Sequence, residues 1–352
     1  MSRFWSPIVK ELTPYVPGEQ PRHADLLKLN TNENPYGPSP EVAQAINAAV
    51  ANLQLYPEPE SIALREALAG LYAGVTKDEV FVGNGSDEVL ALVFHALLQR
   101  EKPVYGVDVS YSFYPVWAKL YGVDWQTIPL CDDFSVDIDA FPDNSGGIVL
   151  PNPNAPTGVL LGLDAIETLL KKHRDCLLVI DEAYIDFGGE SAVPLIKNYD
   201  NLLVVQTFSK SRSLAGLRVG MAFGHQDLVD ALIRVKNSFN SYPLDRLTQA
   251  GAVAALEDKS WFDKTRTAVI DAREKLTEAL SSMGFAVLPS HANFVLASHP
   301  DYAASELFAK LREQGVIVRY WNAGRISNHL RITVGTPAQC ERLVAALRQL
   351  LV

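Results

Sequence analysis

The amino-acid sequence predicts an α/β protein with a large domain, built on a mostly parallel β-sheet flanked by helices, and a smaller α+β domain. Short apolar runs, such as residues 177–180 and 202–207, alternate with segments of helical spacing. That alternation is typical of parallel sheets covered by helices on both faces. Beyond about residue 242 the pattern changes to a long helical stretch and then to mixed short strands and helices, which indicates a second domain.

These patterns divide the chain into three predicted segments. Residues 1–38 contain six prolines and are predicted to form an extended N-terminal arm, without a helix, that packs with the small domain. Residues 39–245 are predicted to form the large domain. Residues 246–352 are predicted to form an interdomain helix and the small C-terminal domain.

Individual elements follow from periodicity and from breaks at proline and glycine. In the large domain we predict helices at residues 40–52, 61–73, 87–98, 164–172 and 226–235, and strands at residues 80–82, 104–107, 147–150, 177–180 and 202–207. In the last part we predict a helical stretch from about residue 242 to 282, strands at residues 285–288, 293–297, 316–319 and 330–334, and helices at residues 303–314 and from 337 onward.

Composition excludes several classes of protein. The chain has 48% apolar and 20% charged residues, an ordinary globular balance. Its net charge is −10 and its basic residues are scattered, which argues against a nucleic-acid surface. The apolar runs are too short to cross a bilayer, and the N-terminus has no signal-peptide pattern. The three cysteines show neither disulfide nor metal spacing, so we expect a cytoplasmic protein without a metal site.

A lysine stands where a predicted strand ends. Residues 205–210 run from an apolar strand through hydroxyl side chains to Lys210. Ligands of such sheets bind at the carboxyl ends of strands, so Lys210 can project into a ligand site. Near other cations its amine would lose its proton more easily and become a nucleophile toward aldehydes. Arg218 could return to bind an anion there. The alternative is a surface lysine that caps the strand.

An acid stands at the end of a neighbouring predicted strand. Asp181 follows a buried apolar run, and a carboxylate there stays ionised only beside a positive partner such as a protonated pyridine nitrogen. Tyr184 could donate to a phenolate oxygen. The alternatives are a structural aspartate or a magnesium ligand. The phosphate loop that accompanies a magnesium site, Gly-x4-Gly-Lys-Ser/Thr, is absent from the sequence.

Two loops complete the pattern. Residues 83–87 follow a strand and open a helix, an arrangement whose backbone amides suit a phosphate. The glycine pattern stops at Glu88, which disfavours a nicotinamide dehydrogenase. The proline- and asparagine-rich loop at residues 151–158 can offer free amides, although either loop could be a plain turn. Together the four features supply what pyridoxal phosphate requires: a lysine, an acid for the ring nitrogen, donors for the ring oxygen and a phosphate cradle.

At this point the sequence resembles a fold-type I pyridoxal-phosphate enzyme of the class I/II aminotransferase superfamily, along nearly its whole length. Within that superfamily it is similar to the histidinol-phosphate aminotransferases. The resemblance implies a seven-stranded large-domain sheet, pyridoxal 5′-phosphate as cofactor, and a homodimer. It is carried by the blocks KLNTNENPYGP (28–38), YPEP (56–59), DEAY (181–184), TFSK (207–210), LAGLR (214–218) and LRITVGT (330–336).

The resemblance also implies roles for single residues. Lys210 would hold the cofactor as a Schiff base and shuttle protons, Asp181 would pair with the pyridinium nitrogen, and Tyr184 would contact the ring oxygen. Many relatives have Asn where this chain has Ala155, so Asn154 would replace it as a donor to that oxygen. The remaining cofactor-binding residues would be Gly85, Ser86, Asp87, Ser209 and Arg218 around the phosphate, and Tyr111 stacked on the ring.

The implied reaction is a transamination in which L-histidinol phosphate and 2-oxoglutarate yield imidazole-acetol phosphate and glutamate. Tyr56 would reach the neighbouring subunit's site. An aromatic-amino-acid aminotransferase and a threonine-phosphate decarboxylase remain open as alternatives. A ligand-sensing domain on the same fold would require an attached DNA-binding module, for which the sequence gives no pattern. The predicted substrate-binding residues are Tyr15, Asn34, Tyr56, Arg319 and Arg331.

Overall fold

The computed structural model of the chain describes residues 2–16, 18–20 and 25–351. The strands in chain order are β1 (Leu27–Lys28), β2 (Val80–Asn84), β3 (Val104–Val107), β4 (Trp125–Ile128), β5 (Gly147–Pro151), β6 (Leu177–Asp181), β7 (Leu202–Thr207), β8 (Val219–Gly224), β9 (Ala286–Val287), β10 (Phe294–Ser298), β11 (Val316–Ile317), β12 (Arg319–Tyr320) and β13 (Leu330–Thr333).

Helices cover the sheets and connect the strands. None of those in the described ranges is both long and apolar enough to pass through a lipid bilayer. In chain order they are α1 (Pro7–Glu11), α2 (Pro40–Val50), α3 (Ile62–Ala69), α4 (Ser86–Ala96), α5 (Tyr114–Tyr121), α6 (Leu163–Lys172), α7 (Gln226–Phe239), α8 (Arg246–Glu257), α9 (Lys259–Ser282), α10 (Ala304–Glu313) and α11 (Pro337–Leu350).

The large sheet has seven strands in the order β2-β8-β7-β6-β5-β3-β4. β8 pairs antiparallel with both of its neighbours, β2 and β7, whereas the other pairs are parallel. Six strands therefore run in one direction, as expected for a sheet built from strand–helix–strand units. The predicted α/β fold with a mostly parallel sheet is confirmed.

Side-chain alternation explains why both faces of this sheet are covered. In β6, Leu178 and Ile180 pack into one buried cluster while Leu177 and Val179 pack into another. Successive side chains of a strand point to opposite faces, so an unbroken apolar run needs helices on both sides. Residues of α3, α6 and α8 fill the first cluster, and residues of α4, α5 and α7 fill the second.

The chain direction brings the ends of five strands to one edge of the sheet. Asn84, Val107, Pro151, Asp181 and Thr207 are the last residues of β2, β3, β5, β6 and β7. Because these strands run in the same direction, the loops that follow them lie side by side. This edge is where ligands bind in open α/β sheets.

The remaining strands form smaller sheets. A four-stranded antiparallel sheet has the order β12-β13-β10-β9, and β1 of the arm pairs with β11 in a separate two-stranded sheet. A further buried cluster joins Leu27 and Leu29 of the arm to apolar residues of α9, α10 and α11. The arm is therefore attached to the C-terminal part of the chain through strand pairing and apolar burial.

Several elements differ from the sequence-based expectations. The arm contains a short helix, α1, which begins with Pro7 at its first position, where a proline costs no hydrogen bond. The helix α5 and the strands β4 and β8 were not predicted. β4 lies at the edge of the sheet and is only half-buried, so it lacks a clear apolar pattern. Glycines at positions 220 and 224 interrupt the pattern of β8.

Candidate active site

A cavity of about 890 Å³ opens at the carboxyl edge of the large sheet. Its walls come from the loops after β2, β3, β5, β6 and β7, from the arm, and from residues 319–331. Eleven of the fifteen residues predicted from the sequence line it, so the motifs that are far apart in sequence do meet. The eleven are Tyr15, Ser86, Asp87, Tyr111, Asp181, Tyr184, Ser209, Lys210, Arg218, Arg319 and Arg331.

Lys210 lies three residues beyond the end of β7, on the cavity wall. Its Nζ donates to the backbone oxygen of Thr31 at 3.2 Å and lies 5.7 Å from the centre of the Tyr184 ring. The amide of Asn34 donates to the backbone oxygens of Lys210 and Ser211, at 3.0 and 3.3 Å. Asn34 is not among the described residues that line the cavity; it holds the lysine-bearing loop instead.

Asp181, at the end of β6, is the buried acid of the cavity, with 5% of its surface exposed. Its Oδ2 accepts from Tyr114 Oη at 2.8 Å, and its Oδ1 accepts from the backbone N–H of Ala183 at 3.2 Å. Burial raises the pKa of Asp181 to about 6, although both hydrogen bonds favour the charged form. A cation next to this carboxylate would compensate for the hydration that the charged form loses on burial.

Tyr184 lies next to Lys210 in the cavity. Its Oη accepts from Asn32 Nδ2 at 3.0 Å, and its ring meets Phe294 edge-on with 5.0 Å between the ring centres. Asn32 is buried and has a positive φ of 56°, a conformation that Asn tolerates better than most residues. Sequence analysis placed Asn32 in a family motif but gave it no role.

The loop after β2 is a tight turn that leads into α4. Gly85 has a φ of 85° and is the N-cap of α4, whose first amides have no partners within the helix. A Cβ at Gly85 would lie 2.4 Å from Arg218 Nη2, so only glycine allows the guanidinium to sit against this turn. Arg218 Nη2 also pairs with Asp87 Oδ2 at 3.1 Å. A phosphate at this helix terminus would meet backbone N–H groups and a guanidinium.

Two arginines, Arg319 and Arg331, also line the cavity. Arg331 donates from Nη2 to the backbone oxygen of Asn30 at 2.8 Å. Its Nε is buried and has no hydrogen-bond partner among the described residues. Burial lowers the pKa of Arg331, and the nearby Arg319 charge lowers it further. The ring of Trp321 contacts both guanidinium groups, with centre distances of 5.1 Å to Arg319 and 5.0 Å to Arg331.

Aromatic side chains form the mouth of the cavity. Tyr15 of the arm stacks on Phe113 with 4.6 Å between ring centres and lies 6.3 Å from Tyr111. Tyr111 Oη donates to Asp87 Oδ1 at 3.0 Å. Burial and the Asp87 charge raise the pKa of Tyr111, which keeps its hydroxyl protonated. Tyr111 therefore presents a neutral, anchored ring to the cavity.

Asn154 does not occupy the position expected for a donor to the ring oxygen. Its Nδ2 donates to the backbone oxygen of Val109 at 3.0 Å and to Thr157 Oγ1 at 2.9 Å, and the side chain is buried. Ala155 lines the cavity, whereas Asn154 is not among the described residues that line it. Adjacent residues of the loop point in different directions, so the shift by one residue places the amide outside the site.

Tyr56 lies outside the cavity. Its side chain is 78% exposed and stacks on Tyr242 with 4.9 Å between ring centres. The backbone oxygen of Tyr56 accepts from Arg246 of α8 at 2.6 Å. An aromatic pair this exposed suits contact with another molecule.

Sequence analysis missed three residues of the site. Tyr114 lies 67 positions before its partner Asp181, in a helix that was not predicted. Trp321 comes directly after the short strand β12 and belongs to no motif. Asn32 lies within the block at residues 28–38, whose run of asparagines was the one signal available for any of the three.

Comparisons with known proteins show the family of the chain. Residues 24–347 match the family model described as aminotransferase class I and II. The histidinol-phosphate aminotransferase of Pseudomonas entomophila (strain L48) is 58% identical over 349 residues, which cover 99% of this chain and 100% of the relative. Histidinol-phosphate aminotransferase 1 of Bordetella parapertussis is 57% identical over 354 residues, with 99% of each chain covered.

Solved structures share the fold. The crystal structure of histidinol-phosphate aminotransferase from Sinorhizobium meliloti, in complex with pyridoxal-5′-phosphate, superimposes with a TM-score of 0.89 at 24% identity, covering 100% of this chain and 98% of that chain. At 24% identity the superposition shows a shared fold. The family model and the curated relatives show the family. The chain therefore belongs to the class I and II aminotransferases and, within them, to the histidinol-phosphate aminotransferases.

Proposed function

We propose that the protein transfers the amino group of L-histidinol phosphate to 2-oxoglutarate, with pyridoxal 5′-phosphate as cofactor, and yields imidazole-acetol phosphate and glutamate. The observation that carries this proposal is that Lys210 and the buried Asp181 line the same cavity, after the adjacent strands β7 and β6. The curated relatives named for this activity match the chain from end to end.

The residues of the cavity fit the proposed cofactor. A cation beside buried Asp181 would offset the effect of burial that raises its pKa, and a protonated pyridine nitrogen is such a cation. The α4 terminus and Arg218 offer donors for a phosphate, and the glycine at position 85 keeps that turn open. Tyr184 offers a hydroxyl on the same wall as Lys210. The three groups correspond to the three polar ends of the cofactor.

The chemical step depends on both the cofactor and the chain. When bound, pyridoxal phosphate supplies an aldehyde for covalent attachment and a cationic ring that withdraws electrons from the substrate Cα–H bond. Asp181 would favour a proton on the ring nitrogen, because a positive neighbour stabilises its buried carboxylate further than the hydrogen bonds from Tyr114 and Ala183 do. Lys210 Nζ would hold the cofactor covalently and, when free, would act as the general base that takes up and returns the substrate Cα proton.

The arginine wall suits substrates with an anionic end. Arg331 has a buried Nε without a hydrogen-bond partner among the described residues, and Arg319 is its cross-strand partner in the β12–β13 pair. A planar guanidinium binds carboxylate and phosphate oxygens with two parallel hydrogen bonds. We propose that this pair binds the phosphate of histidinol phosphate in one half of the reaction and a carboxylate of 2-oxoglutarate in the other. Tyr15 at the mouth then contacts the bound substrate.

The exposed Tyr56 supports a homodimer. We propose that Tyr56 and its stacking partner Tyr242 contact a second copy of the chain, so that Tyr56 completes the neighbouring cavity. The three cysteines are free thiols, and we propose that the enzyme works in the cytoplasm, where thiols stay reduced.

A coupled assay tests the substrate. The purified, cofactor-loaded protein is offered histidinol phosphate, phenylalanine and threonine phosphate in turn, each with 2-oxoglutarate, and glutamate formation is measured. We expect kcat/KM for histidinol phosphate to be the highest, because the arginine pair binds a phosphate monoester. A preference for phenylalanine would point to an aromatic-amino-acid aminotransferase, and release of carbon dioxide from threonine phosphate would point to a decarboxylase.

A second experiment tests Lys210 directly. The loaded protein is reduced with borohydride, digested, and searched for a cofactor-bearing peptide. We expect the label on Lys210 in the wild type and none on Lys210→Ala or Lys210→Arg, with turnover lower by at least about 10³-fold in both variants. Lys210→Arg is the matched control because it keeps the positive charge and removes the nucleophile. Label on another lysine, or full turnover by either variant, contradicts the proposal.

A further inference from the structure

The hydrogen bonds around Asn32 have a defined direction. The backbone N–H of Asn32 donates to Thr333 Oγ1 at 3.0 Å, and the Thr333 hydroxyl donates back to Asn32 Oδ1 at 3.0 Å. With its Oδ1 occupied in this way, Asn32 turns Nδ2 toward Tyr184 Oη, 3.0 Å away. The amide therefore donates to the tyrosine and does not accept from it.

The opposite orientation of this amide is unfavourable. If Oδ1 faced Tyr184, Thr333 Oγ1 would accept from both the backbone N–H and the side-chain amide of Asn32. The Thr333 hydroxyl proton, in a residue that is 3% exposed, would then have no acceptor among the described residues. A buried donor without an acceptor loses its hydration and gains nothing in return. Thr333 thus fixes the Asn32 side chain.

We propose that Asn32 is a positioning residue that sets the direction of the Tyr184 hydroxyl: by donating to Tyr184 Oη, it leaves the phenolic proton free for the ring oxygen of the cofactor. This inference rests on the proposed function, because it concerns the bound cofactor. An acceptor at position 32 would attract the phenolic proton away from the cavity. Asn32 acts through Tyr184 and does not itself contact the cofactor.

The loop at residues 154–155 makes this direction consequential. Two groups were predicted to donate to the ring oxygen, Tyr184 and Asn154. The amide nitrogen of Asn154 is bonded to Val109 and Thr157, and the cavity position of that loop is taken by Ala155, which has no donor. Of the two predicted donors, Tyr184 alone faces the cavity, so the orientation of one hydroxyl decides whether the ring oxygen is stabilised as an anion.

The test measures the pH midpoint of the visible absorbance change of the loaded enzyme, which reports the proton shared between Lys210 Nζ and the ring oxygen. Loss of a donor makes that oxygen more basic, so the midpoint moves upward. We expect Tyr184→Phe to raise it by about one pH unit. Asn32→Asp keeps the side-chain shape but offers acceptors, so we expect a shift as large as that of Tyr184→Phe. Asn32→Gly, which tolerates the positive φ, should give a smaller upward shift.

Two controls separate positioning from a structural or a purely electrostatic effect. Asn293 Nδ2 donates to the Asn32 backbone oxygen at 2.9 Å, so Asn293→Ala weakens the same segment without changing the amide; it should lower thermal stability and leave the midpoint in place. In a Tyr184→Phe background, Asn32→Asp should shift the midpoint much less than in the wild type, because no hydroxyl remains to be turned. The titratable and charged groups around Tyr184 are unchanged in all these proteins; they are Lys210, Arg331, Tyr111 and Tyr114.

The outcomes distinguish this inference from the proposed function. Failure to bind pyridoxal phosphate overturns both. If Tyr184→Phe shifts the midpoint but Asn32→Asp does not, the proposed function stands and the role of Asn32 is rejected. Equal effects of Asn32→Asp with and without the Tyr184 hydroxyl, or a shift in Asn293→Ala equal to that in Asn32→Gly, reject it as well.

Discussion

Tyr114 Oη donates to Asp181 Oδ2 at 2.8 Å, and both side chains are buried beneath the cavity. The hydroxyl stabilises the carboxylate, yet burial is the larger effect and raises the pKa of Asp181 to about 6 from an ordinary value of 3.8. Between these two pH values the folded, cofactor-free protein holds a proton that the unfolded chain has released. The free energy of unfolding of the cofactor-free protein therefore falls as pH rises through this window.

This relationship predicts a pH-dependent stabilisation by the cofactor. A cation against Asp181 removes the cost of its ionised form, so the melting temperature should rise more on cofactor binding at pH 8 than at pH 5. The difference corresponds to at most about 3 kcal/mol. Asp181→Asn should lose most of it. Calorimetry of the free and loaded proteins at both pH values gives the answer, and an equal gain in wild type and variant contradicts the pairing.

The turn at Gly85 predicts a substitution that weakens cofactor binding. In Gly85→Ala the new Cβ meets Arg218 Nη2 at 2.4 Å and the positive φ of 85° becomes strained. We expect the free energy of unfolding to fall by about 1–3 kcal/mol and the Kd for pyridoxal phosphate to rise at least about tenfold. Gly37→Ala is the matched control, because a Cβ there meets nothing within 4 Å. Similar Kd values for the two variants would refute the phosphate cradle.

The two arginines predict unequal effects of the same substitution. Arg331→Lys replaces a planar guanidinium, which can make two parallel hydrogen bonds to an anion, with a single ammonium group. KM for histidinol phosphate should therefore rise by about 30- to 100-fold, with a smaller change in kcat. Arg319→Lys should raise KM less, because, of these two arginines, only Arg331 has a buried guanidinium nitrogen without a hydrogen-bond partner among the described residues. Steady-state kinetics with histidinol phosphate and with glutamate measure both. Equal effects of the two substitutions would argue against Arg331 as the main anion contact.

The proposed homodimer predicts complementation between a Lys210 variant and a Tyr56 variant. If Tyr56 completes the neighbouring site, a heterodimer of Lys210→Ala and Tyr56→Ala subunits has one intact site and one site with both changes. Mixing the variants under conditions of subunit exchange should restore on the order of a quarter of wild-type turnover. Each variant mixed with itself is the control. If Tyr56 serves only its own subunit, no intact site forms and turnover stays at the level of the controls.

Strands buried on both faces could be predicted from the sequence, whereas strands at edges and contacts could not. β6 and β7 are unbroken apolar runs, and their ends located Asp181 and Lys210. β8 escaped prediction because a Cβ at Gly220 would lie 2.3 Å from the Ser86 backbone nitrogen, so glycine is required in the middle of a strand. Glycine in a strand normally indicates a turn or bulge.

The polar network of the site was beyond the reach of sequence patterns. The bond between Tyr114 and Asp181 joins positions 67 apart, and the bond between Asn32 and Tyr184 joins positions 152 apart. Neither spacing belongs to a helix or a strand, so only the completed fold brings these groups together. Asn154 illustrates the same limit at short range, since the sequence placed it within one residue of the cavity and its side chain nevertheless turns away.

The segment from Leu27 to Asn34 has a mechanical consequence. Its first residues pair with β11, Leu29 accepts from the Thr333 backbone N–H, and Asn34 donates to the backbone of Lys210. These eight consecutive residues therefore connect the C-terminal sheets to the loop that carries Lys210. A movement of those sheets would therefore be transmitted, through the hydrogen bond from Asn34, to the loop that carries the amine.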